Sequence, residues 1–301
     1  MIKNFDELIE IVKQQPRMKL AVAAAEDDEV LLAVDEAAKL GIVDAILVGN
    51  KSKIEKIASN LNIDLGKFEI IHTESLTDSA RIAVSLVADN IADFLMKGLI
   101  GTADLLRAVL DKEKGLRGSG LLSHVMVYSV PTYHKLLFLT DGGMVTYPDL
   151  YQKVQIVNNA VKVAKAFGIT PIHVAPLCAV EVVNPDMLAT LDAAALAKMN
   201  QRGQIKDCII DGPLALDNAI SIEAAKHKGI VSPVAGQADI LLVPNIESGN
   251  ILGKSLTYFA KAKSAGVIMG AKCPIVLVSR ADTHEAKLNS IALGSLVANN
   301  K

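Results

Sequence analysis

The stretch HVMVYSVPTYHKLLFLTD, residues 124–141, decides which type of fold the sequence predicts. It contains two runs of strand-forming residues, separated only by Pro131, Thr132 and Tyr133. Such a short connection cannot cross over between parallel strands, so an antiparallel hairpin is expected. Elsewhere, short apolar runs alternate with longer helical patterns, which is typical of a parallel sheet covered by helices. We therefore predict an α/β fold with a mixed sheet.

The other predicted strands are apolar runs, most of which end in Gly, Pro, Ser or Asp. They are Leu20–Ala24, Ala45–Gly49, Phe68–His72, Gly98–Gly101, Pro171–Ala175, Cys208–Asp211, Ile240–Pro244 and Pro274–Ser279. Ligands of open α/β folds bind at the carboxyl ends of strands, so functional residues are expected there. Between strands, Glu26–Leu40 predicts a helix, with acidic residues in its first turn and Gly41 just past its end.

The composition narrows the class of protein. The 301 residues are 51% hydrophobic, enough core for one large or two ordinary domains. Lys and Arg total 31 against 33 Asp and Glu, Trp is absent and only 4% of residues are aromatic, which argues against nucleic-acid binding. The N-terminus is charged and amphipathic, so we do not expect a signal peptide, and no apolar run reaches about 18 residues. We predict a cytoplasmic protein that does not bind membranes.

Cysteines and histidines give no sign of a metal or a disulfide framework. Cys178, Cys208 and Cys273 are far apart in apolar runs, which favours buried thiols over metal ligands. The six histidines form no HExxH or similar pair. No metal and no permanently bound cofactor are expected. A GxSxG elbow is also missing, so the sequence gives no sign of a serine acyl-enzyme.

Two glycine-rich segments match nucleotide-binding motifs only in part. Residues 118–123 begin like GxGxxG but end in Ser123, and a hairpin follows where the motif requires a helix. Residues 249–255, GNILGKS, resemble a P-loop, but three residues separate the glycines where a Walker A loop has four. An anion-binding role remains open for the second segment, since glycine-rich backbone and Lys254 follow a predicted strand.

The C-terminal strand ends in polar residues that are harder to explain by structure alone. Ser279 and Arg280 follow the strand, and acidic residues lead into a predicted helix over 286–298. Asp282 is interpreted as the cap of that helix. Arg107, which follows the turn of residues 98–102, is either a solvated helical arginine or an anion ligand.

Six segments together resemble the phosphate acetyl/butyryl transferase family, from about Lys39 to the C-terminus. They are AKLGIVDAILVGN, LLSHVMVY, VVNPDMLATLDAAALAKMNQRGQI, DGPLALDNAISIEAAKHKGI, ADILLVPNIESGNILGKSL and PIVLVSRADTHEAKLNSIAL. DGPLALDNAI and SRAD look more like the butyryl than the acetyl branch. The resemblance implies two three-layer α/β domains of the isocitrate/isopropylmalate dehydrogenase type, with the active site in the cleft between them. It implies domains of 1–118 plus 266–301 and of 119–265, and a homodimer or higher homo-oligomer.

The family's activity implies the substrates and the mechanism. A short-chain acyl group, butyryl or branched, moves between coenzyme A and inorganic phosphate by direct attack in a ternary complex. Acetyl transfer is the alternative reaction. Two further alternatives are a metal- and NAD-dependent decarboxylating dehydrogenase of the same fold and a non-catalytic acyl-CoA sensor. The dehydrogenase requires a cluster of metal-binding aspartates that the sequence does not show.

The resemblance also assigns roles to residues. Arg280 binds phosphate, since a guanidinium bonds two phosphate oxygens at once, and Ser279 donates to the developing thiolate or oxyanion. Glu285 is the provisional proton acceptor, with Asp282 as competitor, because the spacing differs from that of the acetyl branch. Arg107 and Thr102 are further phosphate ligands. Coenzyme A is assigned to the residues that match the family's GNIxYK motif, namely Asn250, Gly253 and Lys254.

Overall fold

A computed structural model describes residues 1–118, 120–279 and 281–300. The chain forms two compact units. We call residues 5–120 with 265–301 the first unit, and residues 1–4 with 121–264 the second unit. These units are defined by packing, so the division into two domains that fold on their own stays a prediction.

Helices and strands alternate through most of the described residues. The helices are α1 (Phe5–Val12), α2 (Asp28–Lys39), α3 (Lys51–Leu61), α4 (Leu76–Ala88), α5 (Thr102–Val109), α6 (Leu150–Ala166), α7 (Leu188–Gln201), α8 (Leu216–Ile220), α9 (Ile222–His227), α10 (Ile246–Tyr258) and α11 (His284–Asn299). The strands are β1 (Met18–Ala23), β2 (Val43–Gly49), β3 (Glu69–His72), β4 (Phe94–Lys97), β5 (Ser123–Ser129), β6 (Leu137–Thr140), β7 (His173–Pro176), β8 (Ile209–Ile210), β9 (Ile240–Leu242), β10 (Lys263–Met269) and β11 (Ile275–Val276).

The first unit has the strand order β3-β2-β1-β4-β11-β10. Strands β1, β2, β3, β4 and β11 run parallel, and β10 pairs antiparallel with β11. Ala23 lies opposite Lys97, and Met96 lies opposite Val276, so β1, β4 and β11 end at the same edge of the sheet. The C-terminal strand β11 therefore lies beside strands from the first third of the sequence.

The second unit has the strand order β5-β6-β9-β7-β8. Strands β5 and β6 pair antiparallel, with Tyr128 opposite Leu137, whereas the other pairs are parallel. This confirms the predicted hairpin, although its connection covers residues 130–136 and is longer than expected. The α/β fold with a mixed sheet is also confirmed. Residues 1–4 join this unit, where the Ile2 amide donates to the Phe167 carbonyl at 2.9 Å.

Local signals account for the bounds of α2. Asp27 caps its start by accepting a hydrogen bond from the Val30 amide at 3.0 Å, and Gly41 adopts a φ of 76° just past its end. The predicted helix over 26–40 is thus confirmed with slightly shorter bounds. Glu26 lies before the cap and not in the helix.

Three predictions of local structure are wrong or incomplete. The fourth strand is Phe94–Lys97, and the predicted strand Gly98–Gly101 is the turn that follows it. Strand β10 was not predicted. The glycine-rich segment 249–255 is not a loop, because it lies inside α10. Its two glycines are four residues apart and so occupy one helix face, where they pack against Gly142 and Tyr128.

Helix α11 packs into the first unit on almost all sides. Residues 287–298 are all buried, and α11 contacts α1, α2, β4 and β11. Gly294 allows its closest approach to the sheet, since a Cβ atom there would lie 2.7 Å from Val276 Cγ2 and 2.8 Å from Phe94 Cε2. None of the helices among the described residues has the length and apolarity needed to cross a bilayer.

We expect Gly294→Ala to destabilise the protein, even though Ala favours helix by about 1 kcal/mol over Gly. The added methyl group would overpack the contact with Val276 and Phe94, at a cost of about 1 to 3 kcal/mol. Thermal unfolding followed by circular dichroism should show a lower Tm. A higher Tm would mean that helix propensity outweighs packing at this position and would contradict the close approach.

Candidate active site

The candidate site of the first unit lies at the carboxyl edge of its sheet. Three segments leave this edge side by side, because β1, β4 and β11 are adjacent and parallel. They are residues 24–27 after β1, residues 98–101 after β4 and residues 277–283 after β11. This is the position where open α/β sheets bind ligands.

After β11, the described residues 277–279 and 281–283 form a turn around Ser279. The Ser279 amide donates to Asp282 Oδ2 at 2.8 Å, the Asp282 amide donates to the Ser279 carbonyl at 3.1 Å, and Ser279 Oγ accepts from the Ala281 amide at 3.3 Å. The Ser279 side chain is exposed, and its hydroxyl group can still donate a hydrogen bond. Arg280, the first choice for phosphate, lies outside the described residues.

The interpretation of Asp282 as a helix cap is wrong. Thr283 caps α11, since its side chain accepts from the Ala286 amide at 3.3 Å. The carboxylate of Asp282 points back to the Ser279 amide, and its carbonyl accepts a hydrogen bond from the Lys287 ammonium. Asp282 therefore shapes the turn that carries Ser279.

Glu285 lies in the first turn of α11 and is exposed. Its neighbour His284 approaches the start of α2, with Nδ1 3.7 Å from Glu29 Oε2. The start of α11 and the start of α2 are thus adjacent. The role of Glu285 as proton acceptor stays a prediction.

Thr102 and Arg107 belong to α5, which begins directly after the turn that follows β4. Thr102 is the first residue of the helix. Arg107 is 74% exposed and donates to Asp104 Oδ1 at 2.7 Å, as expected for a solvated helical arginine. Because an exposed pair is weak, this contact does not prevent Arg107 from binding an anion. Both phosphate assignments stay predictions.

Two charged residues at this edge were missed by the sequence analysis. Lys97, the last residue of β4, is 6% exposed, and its ammonium donates to the carbonyls of Gly98 and Ile100 at 3.0 and 3.1 Å. Glu26 follows β1 and is 7% exposed. Lys97 could have been recognised from the sequence, because a charged residue at the end of the apolar run FLMK is unusual. Nothing in the sequence indicated that Glu26 is buried.

The residues assigned to coenzyme A lie on α10 of the second unit. Gly253 packs against the sheet, where a Cβ atom would lie 2.6 Å from the Tyr128 hydroxyl. Asn250 Nδ2 donates to the Gly142 carbonyl at 3.5 Å, and Lys254 Nζ lies 5.9 Å from the centre of the Tyr258 ring. Packing alone accounts for Gly253. The binding roles of all three residues stay predictions.

A cavity of about 620 Å³ opens in the second unit at the carboxyl ends of β7 and β9. Its lining is mostly apolar, and α10 contributes Ile251, Leu252 and Ser255. Cys178 also lines it, and burial raises the pKa of this thiol to about 11. Burial likewise raises the pKa of Cys208 to about 11. At neutral pH both thiols are protonated and therefore poor nucleophiles.

Metal binding has no candidate among the described residues, in which His, Cys, Asp and Glu form no group of three with suitable geometry. The expectation that the protein needs no metal stays a prediction.

Comparisons with known proteins place these features in a family. The profile described as "Phosphate acetyl/butaryl transferase" matches residues 4–78 and 72–295. The chain is 54% identical over 301 residues to the phosphate butyryltransferase of Clostridium acetobutylicum, with all of both chains covered. It is 34% identical to the crystal structure of a branched-chain phosphotransacylase from Enterococcus faecalis, with a TM-score of 0.83, covering 93% of this chain and 99% of the other.

A more distant structure relates the fold to that of a dehydrogenase. The 4-hydroxythreonine-4-phosphate dehydrogenase of Klebsiella pneumoniae is 11% identical, with a TM-score of 0.54, covering 94% of this chain and 99% of the other. This likeness concerns the fold alone and agrees with the predicted dehydrogenase type. Matches over nearly the whole chain, at up to 54% identity among these proteins, show that the chain belongs to the phosphate acetyl/butyryl transferase family.

Proposed function

We propose that the protein transfers a short-chain acyl group between coenzyme A and inorganic phosphate, with butyryl or branched-chain acyl groups as substrates. The observation that carries the proposal is the 54% identity to a phosphate butyryltransferase over the entire chain. The branched-chain phosphotransacylase supports an acyl group longer than acetyl. Because the family also includes acetyl transferases, acetyl-CoA is the alternative substrate.

The proposed reaction is a direct displacement in a ternary complex. A phosphate oxygen attacks the thioester carbonyl, the new C–O bond forms, the C–S bond breaks, and the thiolate leaves and takes up a proton. Holding both substrates in one site makes the attack effectively unimolecular. Hydrogen-bond donors directed at the tetrahedral oxyanion stabilise the transition state.

The turn after β11 provides suitable groups for this chemistry. Ser279 would donate its hydroxyl proton to the oxyanion or the leaving thiolate, since its oxygen already accepts from the Ala281 amide. Arg280 would bind phosphate through two parallel hydrogen bonds. Glu285, which is exposed in the first turn of α11, is the proposed acceptor of the coenzyme A thiol proton in the reverse direction. Asp282 stays the competing candidate.

A covalent cysteine intermediate is not part of the proposal. The pKa values of about 11 for Cys178 and Cys208, both raised by burial, leave only about 0.1% thiolate at pH 8. Cys273 is 3% exposed. Direct attack requires none of these thiols.

The cytoplasmic location expected from the sequence stays a prediction.

The first experiment measures phosphate-dependent release of free thiol from acyl-CoA with a thiol reagent. Acetyl-, butyryl-, isobutyryl- and isovaleryl-CoA are compared, and reactions without phosphate serve as controls. We expect release from the four-carbon or branched thioesters only when phosphate is present. If none of the four thioesters releases thiol, the proposed function is wrong.

Arg280→Ala should lower kcat/KM by at least about a hundredfold, because a charge-assisted contact to the reacting phosphate is lost. Arg280→Lys should restore only part of the activity, since an ammonium cannot form the bidentate contact. Arg17→Ala is the matched control. Arg17 is an exposed arginine of the same unit, next to the amino end of β1 and thus at the opposite edge of the sheet. Activity of Arg280→Ala within a few-fold of wild type would refute the assignment.

We also propose that the protein forms a homodimer through the apolar surface around the cavity of the second unit. Met187, Leu188, Leu216 and Ile251 all line this cavity, yet each is exposed, Leu188 by 69% and Ile251 by 66%. Tyr258, 56% exposed, lies two turns after Ile251 on α10 and extends the surface. Contiguous exposed apolar side chains of this kind mark interaction sites. Burial against the same surface of a second copy gives a two-fold interface.

Leu188→Asp should convert the dimer to a monomer, because the interface would have to bury an unpaired carboxylate. Size-exclusion chromatography with light scattering should give twice the mass of the chain for wild type and a single mass for the variant. Ile91→Asp provides the control, since Ile91 is a 48% exposed residue of the first unit. A monomeric wild-type protein, or a dimeric Leu188→Asp variant, would contradict the proposal.

A further inference from the structure

His284 and Glu29 connect the starts of two helices at the carboxyl edge of the first unit's sheet. His284 is the first residue of α11, and Glu29 lies in the first turn of α2. Nδ1 of His284 lies 3.7 Å from Oε2 of Glu29. The contact therefore links the segment that follows β11 to the segment that follows β1.

The Glu29 carboxylate is poorly satisfied on this side. Its Oε2 has almost no contact with solvent and forms no hydrogen bond with the residues that the structure describes. Leaving an acceptor buried without a partner costs free energy, and the cost is larger for a charged group. The distance to His284 is too long for a hydrogen bond but within the limit of about 4 Å for an ion pair. An imidazolium at this place supplies the opposite charge, whereas a neutral imidazole does not.

The segment between β11 and His284 carries the groups proposed for the reaction. Asp282 holds the turn around Ser279, because its carboxylate accepts from the Ser279 amide at 2.8 Å. Thr283 then caps α11, and His284 follows it directly. The turn is thus fixed by β11 at one end and by the start of α11 at the other end, where His284 meets Glu29.

We propose that protonated His284 pairs with Glu29 and thereby positions the turn that carries Ser279, so that acyl transfer is faster when His284 is charged. The inference rests on the proposed function, which assigns the reaction to this turn. His284 acts through the turn and not on the substrates, so it is a positioning residue.

The exposure of the pair sets the size of the effect. The side chain of His284 is 49% exposed and that of Glu29 is 45% exposed. Ion pairs with this exposure contribute little to stability, and their loss changes an equilibrium by at most about fivefold. We therefore expect a small loss of activity together with almost no loss of thermal stability.

The other charged groups near His284 do not respond to pH in the same range. They belong to α11, to the turn before it, to the start of α2, to the end of β4 and to α1, and they are Glu285, Lys287, Asp282, Asp28, Lys97, Asp6, Glu7 and Glu10. Carboxylates and ammonium groups ordinarily keep their charge between about pH 6 and about pH 8.5, whereas a histidine ordinarily changes its charge there. Arg280, in the same turn but outside the described residues, stays charged throughout.

The test compares thiol release by wild type, Glu29→Gln, His284→Ala and the double variant at about pH 6 and about pH 8.5. At the lower pH each variant should have a kcat/KM about three- to fivefold below that of wild type. The double variant should be no slower than the single variants, because all three lose the same pair. At the higher pH the ratio to wild type should approach one, since neutral His284 no longer pairs with Glu29. Comparing each variant with wild type at the same pH cancels the titration of phosphate itself.

Glu74→Gln is the matched control. Glu74 forms another histidine–glutamate pair of the first unit, with Oε1 2.8 Å from His72 Nε2. This pair lies at the end of β3, which is four strands away from β11 in the sheet. The control variant should have wild-type activity at both pH values.

Three results would overturn the inference. They are a ratio to wild type that is the same at both pH values, additive losses in the double variant, and a Tm lowered by more than about 3 °C, which would make the loss a matter of folding. If Glu29→Gln does not fold, Glu29→Asp replaces it with the same expected pH dependence, because its carboxylate is set back by one methylene group.

Hydrogen exchange near pH 6, followed by mass spectrometry on the peptide that contains Ser279, reports on the turn without turnover. Exchange should be faster in Glu29→Gln than in wild type, because the turn is less firmly held. Absence of thiol release by wild type refutes the proposed function. Unchanged exchange in the variant refutes the positioning role of His284, whether or not the protein turns over.

Discussion

The parallel pairing of β11 with β4 is the constraint on which the candidate site depends. Only two residue pairs define it, Leu95 with Ile275 and Met96 with Val276, yet they determine where the chain emerges with Ser279. Helix α11 follows this turn and is buried on nearly all sides, so the turn is held between β11 and α11. The last part of the sequence is thereby fixed beside segments from its first third.

The local features of the fold could be predicted because their signals are local. The hairpin β5–β6 follows from a connection too short for a crossover, and α2 follows from acidic residues at its start and Gly41 past its end. Strand β10 was missed although the run AGVIM ends at Gly270, as several predicted strands end at a glycine. The segment 249–255 was misinterpreted for another reason. Glycines four residues apart are compatible with a phosphate-binding loop and also with one face of a packed helix. Only tertiary contacts show which of these two structures forms.

The candidate site was predictable only in part. The polar run after the C-terminal strand marked Ser279 and its neighbours, because a strand end has no structural need for such residues. Asp282 was misinterpreted since Thr283, the next residue, caps equally well, and the sequence does not show which side chain turns back toward Ser279. Lys97 and Glu26 were overlooked because the burial of a charge arises from elements distant in sequence.

The contact between Glu26 and Gly49 has a consequence for how this sequence can change. No side chain fits at position 49 while the carboxylate of Glu26 keeps its place, so the two positions are coupled although 23 residues separate them. A side chain at position 49 would therefore displace the Glu26 carboxylate from the space that it fills above the backbone. The two positions are therefore expected to change together, because a larger residue at position 49 requires the Glu26 carboxylate to move.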